Sequence, residues 1–426
     1  MKIAFITLPA PGHINPMTAL ARRFQSRGHD VIFLGVPEAV PAIQATGHKC
    51  IAFSEEDLSA GFFKAHLQTL SQLQGEDAVE YSFGFLARYL SSTLERLPAT
   101  IAKAGVDALV LDSTQYYLGL LPMHLRIPYV HITPGLPLDL SGATPPRFFG
   151  WPFETTPAAL EKNHAGVARV LQMMKPCIDV AKAYAERNGM DVDWNVPDPT
   201  ISKLAWIVQM PREFDFPGDH WPSQFHYAAP FHDVGRVETP FSWERLTGEP
   251  LVYASMGTLQ NGQKEVFQMI VDAAEKLPGL QLALSIGKNL QIDQIKVSLS
   301  KTIVVNHAPQ LQLLKRAALC VTHAGMNTTL ETLTQGVPMV AIPVTNDQPA
   351  VAARIAYHRI GEVLPLERLS ASTLNDTMNR VITDPSYKQK AQSFKEAIAK
   401  SDGLDVASSI IEKSFQLQSP LAVNAE

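Results

Sequence analysis

The feature that most constrains the fold of this sequence is a series of short apolar runs alternating with stretches of helical periodicity. The runs are KIAFITL, VIFLGV, ALVL and PYVHI in the first half, and LVYAS, LALSI, TIVV, LCVT and MVAI in the second. A run that is apolar on both faces and leads into a helix indicates a parallel strand covered by helices. Because the series occurs twice, the sequence predicts an α/β fold with two Rossmann-like, doubly wound parallel-sheet domains.

The boundary between the two domains is expected within residues 231–250, which have no sustained period, contain several Gly and Pro residues, and precede a new strand. This places an N-terminal domain at residues 1–235 and a C-terminal domain at 246–401. A last helix at 402–420 carries an apolar stripe and can pack back on the N-terminal domain.

The first helix is predicted to start with Asn15 as its N-cap and Pro16 as its first helical residue, and to end before Gly28.

Composition excludes several classes of function. The net charge is −5 and the isoelectric point is about 6.2, so nucleic acid is not the expected ligand. Cys50, Cys177 and Cys320 are far apart, which argues against a cysteine metal site and favours a reducing compartment. The apolar run after Lys2 is too short for a typical signal peptide, and no run is long enough to span a bilayer. We therefore expect a cytoplasmic protein.

The segment THAGMNTT joins an apolar run to a predicted helix with small polar residues. A helix N-terminus presents unpaired N–H groups and a partial positive charge, so it can bind phosphate. Gly325 and Met326 would let the backbone approach, while His323, Asn327 and Thr328 would add donors. The alternative is a capped helix with no ligand.

Other polar residues follow neighbouring strands. Gly257 and Thr258 come directly after LVYAS, and Asp347 and Gln348 come after MVAIPV. Glu331 lies about one turn into the helix after THAGMNTT, where its carboxylate could accept hydrogen bonds from ribose hydroxyls. Ligands of doubly wound sheets bind at the carboxyl ends of strands, so we expect these residues to share one site.

In the first half, His13 directly follows the first strand and Asp112 ends the strand ALVLD. Adjacent strand ends can bring the two side chains within hydrogen-bond reach. The carboxylate would then orient the imidazole and stabilise its cation, as in a general base with an orienting partner. Taken singly, each residue could instead be a loop histidine or a helix cap.

These residues together resemble the family-one UDP-glycosyltransferases of the GT-B fold. The resemblance covers nearly the whole chain and is most specific in APQ followed by VTHAGMNTTLETLTQGVPMVAIPVTNDQ. Within that family, the sequence is most similar to bacterial zeaxanthin (carotenoid) glucosyltransferases in SMGTLQ, THAGMNT, NDQPAVAARIAYHRIG and FDFP.

The resemblance implies a role for each matching residue. The catalytic base would be His13, with Asp112 as its partner and no metal. The residues implied in nucleotide-sugar binding are Gly12, Gly257, Thr258, His307, Ala308, Gln310, His323, Gly325, Met326, Asn327, Thr328, Glu331, Asp347 and Gln348. Within this set, Glu331 would bind ribose, and Asp347 and Gln348 the donor sugar. His307 departs from the family, which usually has an aromatic residue there to stack on uracil.

The implied reaction is inverting transfer of a sugar, with glucose expected, from a UDP-sugar to a hydroxyl of a lipophilic small molecule. The UDP-sugar is a co-substrate, and no cofactor is expected. Carotenoid, terpenoid, polyketide and flavonoid alcohols all fit the aromatic stretches STQYYLGLLP, RFFGWPF and YSFGFLARYL. A sugar-nucleotide epimerase of GT-B fold and a non-catalytic nucleotide-sugar sensor remain alternatives. Residues 155–190, which include Met173 and Met174, could contact a membrane surface or cover the acceptor.

Overall fold

The architecture is that of two parallel sheets flanked by helices, in a computed structural model that describes residues 1–54, 56–58, 61–196, 198–232, 239–257 and 263–416. The strands of the first sheet are β1 (Lys2–Ile6), β2 (Asp30–Gly35), β3 (Cys50–Ala52), β4 (Ala108–Asp112), β5 (Tyr129–Thr133), β6 (Trp206–Val208) and β7 (Phe225–Tyr227). The strands of the second sheet are β8 (Leu251–Ser255), β9 (Gln281–Ser285), β10 (Thr302–Val305), β11 (Ala317–Thr322), β12 (Met339–Ala341) and β13 (Gly361–Val363).

Helices cover both sheets, and their apolar faces complete the core. They are α1 (Pro11–Ser26), α2 (Val40–Gln44), α3 (Phe62–Leu70), α4 (Gly75–Ala104), α5 (Leu120–Leu125), α6 (Pro157–Met173), α7 (Lys175–Arg187), α8 (Lys264–Glu275), α9 (Gln310–Leu314), α10 (Met326–Thr334), α11 (Gln348–Tyr357), α12 (Ala371–Thr383), α13 (Pro385–Ile398) and α14 (Gly403–Ser414). No helix within the described ranges combines the length and apolar character that crossing a bilayer requires.

The strand order positions the functional site. It is β3-β2-β1-β4-β5-β6-β7 in the first sheet and β10-β9-β8-β11-β12-β13 in the second, and the strands pair in parallel throughout. The predicted α/β fold with two doubly wound parallel sheets is therefore confirmed. In each sheet the winding reverses at the centre, between β1 and β4 and between β8 and β11. The crevice outside the carboxyl ends at such a reversal is where doubly wound sheets bind ligands.

Helix α1 starts earlier than predicted. Its first residue is Pro11, after an extended Ala10, so the predicted N-cap Asn15 and first residue Pro16 both lie inside the helix. A proline inside a helix leaves the carbonyl four residues earlier without its helical donor. That carbonyl belongs to Gly12, and it accepts a hydrogen bond of 2.7 Å from Asn327 Nδ2 in the second half. The prediction was wrong because Pro11 and Pro16 are both plausible first residues.

The chain leaves the first half after β7 and returns to it in α14, which packs against α1. Arg27 Nη2 lies 2.7 Å from Asp405 Oδ1, and Arg27 Nη1 lies 2.8 Å from Glu412 Oε2. The segment that leaves the first half after β7 and the segment that returns to it at α14 are in contact. A Cβ added to Gly403 would overlap the backbone carbonyl oxygen of Ala229. Part of the predicted boundary, residues 233–238, lies outside the described residues, as does the predicted end of the last helix beyond 416.

Residues 155–190 form α6 and α7, and α7 packs against the long helix α4. Met173 is 4% exposed and Met174 is 1% exposed, and both belong to the core of the first half. These methionines therefore cannot form an apolar surface for a membrane.

The contact between the crossing segments generates a stability prediction. Gly403→Ala should lower the free energy of unfolding by about 1–3 kcal/mol, because a backbone carbonyl cannot move aside as a side chain can. The matched control is Gly84→Ala in α4, where an added Cβ meets nothing within 4 Å. That control should instead stabilise the protein by about 0.5–1 kcal/mol, the usual helical preference for alanine. Chemical denaturation of both variants measures the difference, and equal effects would contradict the proposed close approach.

Candidate active site

A cavity of about 400 Å³ lies between the two halves at the carboxyl ends of both sheets. Its lining includes fourteen of the residues that the sequence analysis singled out: Gly12, His13, Gly257, His307, Ala308, Gln310, His323, Gly325, Met326, Asn327, Thr328, Glu331, Asp347 and Gln348. Asp112 is fully buried and contacts His13 rather than lining the cavity. Thr258 lies outside the described residues.

His13 and Asp112 meet because β1 and β4 are adjacent strands whose carboxyl ends align, with Ile6 opposite Leu111. His13 Nδ1 lies 2.8 Å from Asp112 Oδ2. The backbone N–H of Thr114 donates to Asp112 Oδ1 at 3.0 Å, which holds the carboxylate in place. Since Nδ1 is taken by Asp112, Nε2 is the ring nitrogen that can accept a proton from a substrate in the cavity.

The charge of Asp112 controls the titration of His13. Burial lowers the pKa of His13, but the charge of Asp112 and its hydrogen bond outweigh burial, so the net shift is upward from 6.5. For Asp112, burial raises the pKa, but the charge of His13 and the hydrogen bonds from His13 and Thr114 outweigh burial. The net shift of the Asp112 pKa is therefore downward. The carboxylate thus stays ionised and favours the imidazolium form of His13, as a base and its orienting partner require.

The N-terminus of α10 faces the cavity from the second half. Gly325 is its N-cap and has no side chain to cap the helix, so with respect to the described residues the first N–H groups of α10 remain available to a ligand. The preceding Ala324 has a left-handed φ of 62°. Asn327 Nδ2 donates to Gly12, and Asn327 Oδ1 accepts from Gln209 Nε2 at 2.7 Å, so this side chain bridges the two halves.

His323 contributes no positive charge to this helix terminus. Burial lowers its pKa to about 4, so the imidazole is neutral at physiological pH. Its ring lies against Gly257 and Gly325, where an added Cβ would overlap it. The two glycines therefore permit the close packing of this ring beside α10, and the helix dipole supplies positive potential there.

Glu331 is 3% exposed and its Oε2 accepts a hydrogen bond of 2.6 Å from Gln310 Nε2. Gln310 in turn accepts through Oε1 from the hydroxyl of Tyr253 at 2.9 Å. Glu331 is therefore part of a polar network that connects α9, α10 and β8, and it lines the cavity as well. An exposed carboxylate that only complemented the helix dipole would need no such partners.

Asp347 and Gln348 both have partners within the protein. Asp347 Oδ2 accepts from the backbone N–H of Leu136 in the first half at 3.0 Å. Gln348 Oε1 accepts from the backbone N–H of Val344 at 2.9 Å, which fixes the loop before α11. Asp347 is the N-cap residue of α11, but its side chain forms no capping hydrogen bond to that helix.

His307 and Ala308 line the cavity beyond the network of Gln310. Burial and the nearby charge of Lys288 lower the pKa of His307, which favours the neutral ring. A neutral imidazole can stack on a nucleotide base, although its face is smaller than that of an indole.

Sequence reasoning missed several residues that line or support the cavity. They are Phe63 and His66 of α3, Arg147 in the loop after β5, Gln209 after β6, and Tyr253 within β8. Gln209 could have been found, because it follows a strand at the carboxyl edge, but β6 has only three residues and was not recognised. Of the aromatic stretches noted in the sequence, Phe83, Phe85, Tyr116 and Phe148 reach the cavity.

Residues 167–400, more than half of the chain, match the profile of the family described as "UDP-glucoronosyl and UDP-glucosyl transferase". The chain belongs to this family. It is therefore a UDP-glycosyltransferase, and it uses a nucleotide-sugar donor.

Curated relatives and solved structures agree with this assignment. The chain is 27% identical to a zeaxanthin glucosyltransferase of Pantoea ananas over 96% of this chain and 95% of that protein. It is 26% identical to a demethyllactenocin mycarosyltransferase of Streptomyces fradiae over 96% of this chain and 86% of that protein. The glycotransferase of kitacinnamycin matches with a TM-score of 0.75 and 23% identity over 97% of this chain and 98% of that chain, which supports the GT-B fold.

The pairing of His13 with Asp112 predicts a measurable titration. The pKa of His13 should lie above 6.5 in the wild-type protein. In Asp112→Asn the raising influence of the carboxylate is gone and burial remains, so the pKa should fall. Titration of the His13 ring signals by nuclear magnetic resonance measures both values, with the exposed His164 as an internal reference. An unchanged His13 pKa in the variant would contradict the electrostatic coupling.

Proposed function

We propose that this protein is an inverting O-glycosyltransferase that moves a sugar, with glucose as the expected group, from a UDP-sugar to a hydroxyl of a lipophilic small molecule. The observation that carries the proposal is the convergence of two sites on one cavity. His13, held by the buried Asp112, faces it from the first half, and the N-terminus of α10 faces it from the second.

Each half would supply one part of the chemistry. His13 would take the proton of the acceptor hydroxyl as its oxygen attacks the anomeric carbon, and Asp112 would stabilise the resulting imidazolium. The bond from that carbon to the diphosphate breaks, and negative charge builds on the leaving oxygen. The N–H groups of α10 and the side chains of Asn327 and Thr328 would stabilise this charge without having to reorganise.

The donor site would extend from α10 in two directions. Glu331 would bind the ribose, with His307 and Ala308 beside the base and Gln310 holding Glu331 in place. On the other side, Asp347 and Gln348 would bind the sugar. For Asp347 this is compatible with its observed partner, because a carboxylate has four lone-pair sites and the hydrogen bond from Leu136 uses one. We identify no cofactor requirement in this scheme, and independence from metal remains a prediction.

The acceptor would occupy the part of the cavity lined by α3 and α4. Its walls are largely apolar and aromatic, with Phe63, Phe83, Phe85 and Phe148 among the lining residues. Burial of a flat apolar ligand against such rings is favourable without specific hydrogen bonds. This supports a lipophilic acceptor and favours a transferase over an epimerase, which needs no acceptor. Measuring UDP release from UDP-glucose with and without a panel of lipophilic alcohols tests the proposal, since acceptor-independent turnover would favour the epimerase.

The role of His13 predicts how its loss affects the reaction. His13→Ala should lower turnover by about two to four orders of magnitude, the usual effect of removing a general base. The affinity for UDP should hardly change, because the diphosphate would lie at α10 in the other half. Steady-state kinetics and calorimetric UDP binding measure the two effects. The control is His164→Ala, an exposed histidine on α6 outside the cavity, which should retain normal turnover. Near-normal transfer by the His13 variant would exclude this base.

The role of Glu331 can be tested by its effect on UDP binding. Glu331→Ala should weaken UDP affinity by roughly ten- to a hundredfold, because a charge-assisted hydrogen bond is worth about 1.5–3 kcal/mol. Glu265→Ala is the matched control, because Glu265 is an exposed residue in the first turn of α8, a helix of the same half. It should leave UDP binding intact and cost only about 0.3–1 kcal/mol of stability. Unchanged UDP affinity in the Glu331 variant, measured by calorimetry, would remove its ribose role.

A further inference from the structure

Arg147 is a buried cation in the acceptor part of the cavity that has no carboxylate partner. The residue is 9% exposed and lines the cavity beside Phe148 and Tyr116. Its Nη1 donates to the carbonyl oxygen of Leu136 at 2.5 Å, and its Nη2 donates to the hydroxyl of Tyr116. Both partners are neutral, and Arg147 takes part in no ion pair among the described residues.

A charge in this position is costly unless something compensates it. Buried charges in proteins are normally paired as well as hydrogen-bonded. The rings of Phe148 and Tyr116 lie 5.0 and 5.7 Å from the guanidinium carbon, so they provide some cation–π attraction. Two of the five N–H donors have hydrogen-bond partners, and the buried Nε has none. The protein therefore satisfies only part of this guanidinium.

Asp347 is a carboxylate that contacts the same residue as Arg147 and is therefore a candidate for its counter-charge. It and Arg147 bind opposite ends of the same residue, because the N–H of Leu136 donates to Asp347 while its carbonyl accepts from Arg147. The carboxylate is thus directed to the backbone and forms no ion pair with Arg147. The compensating charge can come from a ligand instead.

The position of Arg147 indicates which ligand. It belongs to the first half and contacts Tyr116 and Phe148, which line the acceptor walls, whereas the helix terminus for the diphosphate belongs to the second half. Its charge also acts on His13, the proposed base. An anionic group bound to Arg147 would therefore lie on the acceptor and close to the hydroxyl that reacts.

We propose that Arg147 is an acceptor-binding residue that selects acidic acceptors, molecules with a flat apolar body that present a carboxylate to its guanidinium. This inference rests on the proposed function and narrows its substrate class. A planar guanidinium is suited to carboxylate recognition because it presents parallel N–H donors in a fixed geometry. A neutral lipophilic alcohol would leave the cation uncompensated when it displaced water from the cavity.

The test compares a hydroxynaphthoic acid with its methyl ester, which share one aromatic body and one hydroxyl but differ in charge at neutral pH. Binding of each to the UDP-bound protein is followed by ligand fluorescence. The acid should bind about ten- to a hundredfold more tightly than the ester. Arg147→Gln should remove that preference, and Arg147→Lys should retain part of it. Arg88→Gln is the control, because it removes an exposed cation near Phe62 outside the cavity and should keep the preference.

If Arg147 only stabilised its loop, Arg147→Gln would change the affinities for acid and ester by the same factor. Equal affinities of the wild-type protein for acid and ester, an equal loss for both in Arg147→Gln, or a loss of UDP affinity instead would each overturn the inference. Transfer from UDP-glucose to the acid and to the methyl ester is measured in the same samples. Transfer without an acid preference would leave the proposed function standing and reject only the role of Arg147, while an acid preference without transfer would reject the proposed function.

Discussion

A buried ion pair between Asp215 and Arg354 joins the two halves of the molecule. Arg354 Nη2 lies 2.6 Å from Asp215 Oδ1, and the two side chains are 4% and 0% exposed. The hydroxyl of Tyr227 and the indole N–H of Trp221 donate to Asp215 Oδ2, so both carboxylate oxygens have protein hydrogen-bond partners. Removing one partner of such a pair leaves an unpaired buried charge, which typically costs about 3–5 kcal/mol. The cavity depends on this contact between the halves, because each half supplies only part of the cavity wall.

The positions of the main site residues along the chain could be predicted from the sequence, because a single rule says where doubly wound sheets bind their ligands. Strand ends at the centre of a doubly wound sheet carry the ligand-binding residues, so His13, Asp112, Gly257 and His323 could be located from the apolar runs alone. Motif resemblance supplied the family. The same reasoning missed β3, β6, β7 and β13, which have three residues each, whereas β12 is equally short but was predicted because it lies in the apolar run MVAI. The start of α1 was also predicted wrongly, because Pro11 and Pro16 are both plausible first residues of the helix.

Most side-chain contacts between segments distant in sequence could not be predicted; the His13–Asp112 contact is an exception, because strand order alone places it. Arg147 and its neutral partners lie in loops without periodicity, and nothing in the sequence shows that no carboxylate faces it. The FDFP segment and the PAVAARI part of NDQPAVAARI were noted only for their resemblance, yet they contain Asp215 and Arg354, the two members of the ion pair. Asn327 and Asp347 contact both the cavity and the backbone of the opposite half. The donor site is therefore complete only when the halves are together.

The return of the chain to its first half has a consequence for biosynthesis. Arg23 in α1 and Arg27 directly after this helix form ion pairs with Asp402, Asp405 and Glu412, which are translated near the end of synthesis. Roughly 170 residues separate the exit from the first half and the return, and a ribosome adding about 5–20 residues per second needs roughly 10–30 s for them. During that interval the nascent N-terminal half lacks its last helix. A truncated translation product would therefore expose α1 to the protein quality-control machinery even though every strand of the first sheet had already been synthesised.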